Sequence, residues 1–299
     1  MQVIRRDRVI YAMSSENTPA AYAKDGETLV FETADCFGGQ VTCESDKLGA
    51  LDWARMNPAT GPLFVEGAHP GDTLKVEILS IGLAQQAAIM EAPGEGLTGL
   101  DAKEENTKIL PIDEGTVVFS EAIRLQAEPM IGVIGTAPLH GAVETASPDA
   151  HGGNMDCKRI CAGTTLYLPV NAEGALLAMG DLHAVMGDGE VCVCGAEIAG
   201  EVTVRVSVVP GRPLPLPFLV TKEHAMAIHS AQGLDSAAEG ATLRMRSFLI
   251  ENVGMIPHEA GMLLSLAGDL RICQAVDPQK TCRMELPLAL LEQLGCRLP

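Results

Sequence analysis

The clearest pattern in the chain is a period of two. Asp72 to Ile81 sets Leu74, Val76 and Ile78 against Thr73, Lys75 and Glu77, as a half-buried strand requires. Glu201 to Val209 repeats it. Val202, Val204, Val206 and Val208 face one way, and Glu201, Thr203, Arg205 and Ser207 the other. Shorter runs at 28–33, 116–120, 131–134, 164–170 and 175–179 predict further strands. Helical signals come late. Ser236 and Glu239 have the spacing of a capping box ahead of ATLRMRSFLIEN, and Gly254 supplies the stop. Pro257 opens a second helix that ends near Gly268, and Pro287 opens a third over LALLEQLG. Four prolines in PGRPLPLPF, 210–218, predict an extended connector. The fold class expected is mostly β. A β-sandwich or barrel-like body spans 1–210, itself divisible near 130, and a smaller α+β part spans 211–299.

Two irregular segments interrupt the strands. EAPGEGLTGLDAKEENTK is acidic and glycine-rich, and predicts a long loop that covers a pocket or forms a dimer contact. GVIGTAPLHGAVETASPDAHGGNMD, ending at Asp156, is a second irregular segment. It leads into 151–197, where His151 and His183 stand among Asp156, Asp181, Asp188, Glu190 and Glu197, with glycines between the acidic clusters. Glycine turns that bring histidine and carboxylate together suit a metal site, although Gly-Asp and Asp-Gly are also hairpin chemistry.

Composition narrows the function. Of 299 residues, 47% are hydrophobic, enough for a sizeable core, and only 3% are aromatic, which leaves few platforms for stacking bases. Lys and Arg number 21 against 39 Asp and Glu, a net charge of −18. Such a surface repels phosphate backbones and anionic membranes, and favours a neutral or cationic small molecule or a metal. The start of the chain lacks an apolar run of signal-peptide length, and no window has the length of a membrane span. The nine cysteines include no CxxC pair, so a cytoplasmic protein with reduced, buried thiols is expected.

Asp181 and His183 are two apart. On an extended segment they share a side, which makes half of a catalytic zinc site. His151 and Asp156 arrive from the glycine-rich segment as further ligands or a base. Asp35 and His69 sit on loops at strand ends, positions that also suit simple turn residues.

Read in order, TADCFGG, HPGDTLKVEI, GTAPLHG, HGGNMD, TTLYLPV, GDLHAVMGDGE, CGAEI and MIPHEAGMLLSLAGDLRICQ resemble the acetamidase/formamidase family over nearly the whole chain. The resemblance implies hydrolysis of short amides to carboxylate and ammonia, a mostly β fold and a metal in the site. Some relatives of the family resemble γ-lactam hydrolases. The reading that follows makes Asp181, His183 and Asp156 the metal ligands, with Asp35 and His69 behind them. Glu144, Glu197 and His151 are the candidate proton carriers, and backbone N–H groups near Gly152 and Gly153 the oxyanion donors. The metal is a divalent cation, with zinc first and calcium at a second site as a further expectation. The partner is a small amide, in a homodimer. Met186 stands where the family pattern suggests Gln. If it faces substrate, it favours an amide with more hydrocarbon than formamide. Two other readings compete: a thiol amidase using Cys157 beside Lys158, and a metal-stabilised β binding module without catalysis.

Overall fold

The computed structural model describes residues 1–299. Two large sheets face each other. One has nine strands, in the order Gln2–Ile4, Thr28–Thr33, Gly200–Val209, Thr73–Leu83, Thr165–Pro169, Phe218–Val220, His224–Ala231, Lys280–Pro287 and Asp269–Gln274. The other has eleven. Its main path runs from Arg124–Gln126 through Thr116–Val118, Asn106–Asp113, Gln86–Glu91, Glu197–Ile198 and Leu177–His183 to Met130–Gly135 and Gly152–Asn154. The mostly β reading is therefore what the chain adopts.

The inner faces fill one another. Leu74, Val76, Ile78, Val202, Val204 and Val206 from the first sheet join Ile131, Ile134, Leu177, Met179 and Leu182 from the second in one cluster of 36 buried residues. Both long alternating runs form strands, with Val202, Val204 and Val206 wholly buried and Glu201 and Arg205 exposed. The nine-stranded sheet continues across residue 210, and beyond it both faces are covered. In His224–Ala231, Met226 and Ile228 point into the inter-sheet core, while Ala225 and Ala227 point at the helices.

Three helices cover that outer face. The first, Leu234–Glu251, buries Ala237, Ala241, Met245, Phe248 and Leu249, a stripe at helical spacing. It starts two residues before Ser236, with Gly233 as N-cap and no side-chain cap, so the expected capping box does not form. Packing of Ala237 and Ala241 against the sheet extends the helix past the local signal. Gly254 does end it: its φ is +81°, and the Met255 N–H reaches back to the Leu249 carbonyl at 3.0 Å. The second and third helices, Pro257–Ala267 and Leu288–Gln293, lie where the prolines placed them. No helix is long and apolar enough to cross a membrane, and all nine cysteines are free thiols.

Two boundaries moved. The run expected at 175–179 forms Leu177–His183, because Ala175 and Leu176 take φ values of +59° and the strand carries on through two buried polar residues. The expected loop narrows to the link between Gln86–Glu91 and Asn106–Asp113, which pair antiparallel. That link is docked: the N–H groups of Leu97 and Thr98 donate to the Val191 carbonyl at 2.9 and 3.0 Å.

Candidate active site

The site begins at a fork in the second sheet. One edge of Leu177–His183 pairs with Met130–Gly135 throughout. The other edge is divided. Gly180 faces Ala59, and Leu182 faces Ile198. Asp181 lies between the two partners, with φ +55°. Asp156 and Glu190 also take positive φ, +41° and +46°. Non-glycine residues in this region carry a backbone cost of about 1–3 kcal/mol, and such residues gather at functional sites.

Register then brings the acids together. Glu197 is the cross-strand partner of His183. Asp156 follows Gly152–Asn154, the strand on the far side of Met130–Gly135. Glu190 comes from the GDGE turn, where Gly189 bonds both ways to Cys273 and Ala275. Nε2 of His183 ends 3.0 Å from Glu197, 3.5 Å from Asp181, 3.7 Å from Asp156 and 3.9 Å from Glu190. All five side chains are buried. Two glycines make room. A Cβ on Gly132 would stand 2.4 Å from a carboxylate oxygen of Asp156 and 2.6 Å from one of Asp181. One on Gly195 would stand 2.5 Å from Nδ1 of His183.

The cluster is electrostatically unsatisfied. Nε2 of His183 and one oxygen each of Asp156, Asp181, Glu190 and Glu197 are buried without a hydrogen-bond partner. Burial, then the neighbouring acids, push Asp156 and Glu190 well above the usual carboxylate range. Burial raises Glu197 to about 7 against the pull of His183. Burial opposes a charged His183, yet the carboxylates of Glu197 and Asp181 hold its pKa well above the ordinary value. Buried charges of one sign with open lone pairs call for a cation. Two groups of side chains could ligate one: Asp156, His183 and Glu190, and Cys36, Asp181 and Glu197. Both belong to this cluster.

A cavity of about 500 Å³ opens onto it. Glu144 lines its wall, and Trp53 and Glu95 also reach it. Asp277 enters from the loop after Asp269–Gln274, where its carboxylate accepts from Asn154 at 3.0 Å.

The residues picked from sequence divide accordingly. Asp156, Asp181, His183 and Glu197 meet, and Glu144 faces the same cavity. Asp35 does not join the ligand groups; its side chain accepts from the Gly39 N–H at 3.1 Å and holds the glycine turn, while the next residue, Cys36, takes the place by the acids. His69 is exposed and bonds Glu173 at 3.0 Å. His151 is buried but lines a different cavity. The Gly152 N–H donates to the Asp149 carbonyl at 3.0 Å, so it is not free for an oxyanion. Met186 does not face the acidic cavity. Its sulfur lies 3.3 Å from Nδ1 of His183, on the side of the ring away from the acids. Cys157 is wholly buried, Lys158 lies 3.9 Å from Asp188, and neither lines the acidic cavity, so the pair is not placed to act on a substrate there.

The sequence reading gives Glu190 no role of its own and does not reach Cys36 or Asp277. Glu190 carried a signal in the GDGE turn and Cys36 in TADCFGG, whereas Asp277 stands in an ordinary turn sequence.

The comparisons with known proteins follow this geometry. The family model described as the Acetamidase/Formamidase family matches residues 15–144 and 139–293. The crystal structure of an acetamidase from Bacillus halodurans superposes with a TM-score of 0.97 at 49% identity, covering 98% of this chain and 99% of that one. A formamidase of Methylophilus methylotrophus is 27% identical over 63% of this chain and 61% of its own length. An acetamidase of Mycolicibacterium smegmatis is 26% identical over 64% of each. The chain thus spans under two thirds of the length of those two relatives.

Proposed function

Because the chain belongs to the acetamidase/formamidase family, we propose that it is an amidohydrolase that cleaves the C–N bond of a short aliphatic amide, or of a γ-lactam, with water. One observation carries the reading. A buried imidazole and four carboxylates, each with an unpartnered atom, converge at the end of a 500 Å³ cavity. The cavity suits a small neutral molecule, and its acidity repels anionic ones.

The donor set fits a divalent metal. Asp156, His183 and Glu190 would hold it, with Asp181 completing the set; a nitrogen ligand with the Cys36 thiol close by favours zinc over calcium. When bound, the metal supplies Lewis acidity toward the amide carbonyl and lowers the pKa of water. The protein's own groups do the rest. Glu197, which faces the cavity 3.0 Å from Nε2 of His183, takes a proton from the attacking water as the water oxygen bonds to the carbonyl carbon. It returns that proton to the nitrogen as the C–N bond breaks, releasing carboxylate and ammonia, or the amino acid from a lactam. Cys36, Met90 and the docked 92–105 link shield the acids from bulk water.

Ammonia release from formamide, acetamide, propionamide and a γ-lactam, before and after chelation, tests this reading. Turnover that chelation removes and zinc restores is expected. Absence of turnover across the panel with zinc restored would refute it. Chelation that lowers the melting temperature of a chain inert toward every amide would favour the binding-module reading.

A further inference from the structure

A second cavity, of about 400 Å³, is walled off from the acidic one by the segment around 143–149. Val143 and Asp149 line it, while Glu144 and Ser147 face the other side. Two arginines reach it. Arg212 donates from Nη2 to the Val170 carbonyl at 3.1 Å and to the Asn171 side-chain oxygen at 2.7 Å. Arg244 donates from Nη1 to the carbonyls of Leu216 and Ile228. These partners are all neutral, and each guanidinium keeps its remaining N–H groups. Asp149 is the one carboxylate in the lining, so two guanidinium groups face a single acid, and half-buried Arg244 is costly to hold there unless a further anion answers the excess charge. In a chain with 39 acidic and 21 basic residues, carboxylates are abundant, yet neither guanidinium hydrogen-bonds one here.

His151 closes the floor of the cavity. It is 2% exposed, and neither ring nitrogen has a partner. The remaining lining sets the ligand's character. Asp149 offsets one arginine, which leaves one net positive charge and favours a monoanion over a phosphate dianion. Leu139, Val143, Leu214 and Leu216 give an apolar wall for a short hydrocarbon tail.

We propose that this cavity binds a small aliphatic carboxylate, held by Arg212 and Arg244 and separate from the acidic cavity. Amide hydrolysis releases acids of this class, but the site does not rest on that activity.

Isothermal titration calorimetry of the full chain with acetate, butyrate and inorganic phosphate tests it, with melting curves to confirm that each variant is folded. Butyrate binds at one site, more tightly than acetate or phosphate. R212Q, at an exposed position, weakens butyrate by about tenfold or more, and R212Q/R244Q abolishes binding, as expected for lost hydrogen bonds to a charged ligand. D181N, which alters only the acidic cavity, leaves butyrate binding unchanged. If R244Q does not fold, R212Q alone decides. Three results would overturn the proposal: no heat from any anion, unchanged affinity in R212Q, or loss in D181N with retention in R212Q. Phosphate binding more tightly than butyrate would overturn the carboxylate assignment.

Discussion

Arg283 grips Asp188 through both terminal guanidinium nitrogens, at 2.7 and 2.8 Å, two residues before Glu190. Its Nε holds Glu285 at 2.6 Å. The arginine is 2% exposed and Asp188 31%. The pair ties the GDGE turn to Lys280–Pro287 and so aims Glu190 at His183. Arg283→Ala leaves two carboxylates facing an empty site. A loss of about 3 kcal/mol in denaturant unfolding is expected, at the low end for a buried pair because Asp188 is partly in water. Bound metal falls with it in elemental analysis. Unchanged stability together with full metal content would show that the turn is held by its backbone alone.

Gly132 sets the floor of the acid cluster, so Gly132→Ala tests the cluster without removing a single polar atom. The added carbon lands on the oxygens of Asp156 and Asp181 and displaces them. A fall in amide turnover of about a hundredfold or more follows, since misplacing reacting groups by an ångström costs that much. Metal content drops in parallel. Wild-type turnover in the folded variant means these two acids do not act at the reacting centre.

Cys157 is not the nucleophile in this reading. Burial would raise its thiol, but a hydrogen bond from Cys273 and the Arg283 charge bring it below the ordinary value. No solvent path reaches it, because the side chain is wholly buried. Cys157→Ala costs about 1 kcal/mol of stability and keeps most amide turnover. An acyl adduct on Cys157 in a quenched reaction, read by mass spectrometry, would restore the thiol mechanism.

His151 makes the fold acid-sensitive. Burial depresses its pKa from 6.5 to about 4. The unfolded chain therefore binds a proton that the folded chain refuses between these values. The contribution is at its full value above pH 6.5 and is lost as pH falls toward 4, by about 3 kcal/mol in total. His151→Leu flattens that part of the stability profile in unfolding titrations from pH 7 to pH 4. A variant with the same acid slope as the wild type would assign the sensitivity elsewhere.

Sequence by itself determined the parts that depend on near neighbours. Alternation at 73–83 and 200–209 marks strands because side chains on a strand point to opposite faces, whatever lies beyond them. Pro257 and Gly268 bound a helix because their backbone preferences are local. The two-residue spacing of Asp181 and His183 places both on one strand of the cluster. Tertiary structure decided everything that depends on partners. Leu177–His183 was read too short because buried Asp181 and His183 break the apolar run, and only a site that answers their charge lets the strand continue. Glu197 meets His183 through cross-strand register, which a shift of one residue would turn to the other face. Glu190 and Asp277 arrive on loops held by distant strands, and Cys36 replaces Asp35 because the Gly38–Gly39 turn uses the aspartate. His69 and His151 carry the right chemistry, but the fold sends one to the surface and the other to a separate cavity. Chain neighbours cannot encode those destinations, because they are set by which strands pair and which turns their ends must make.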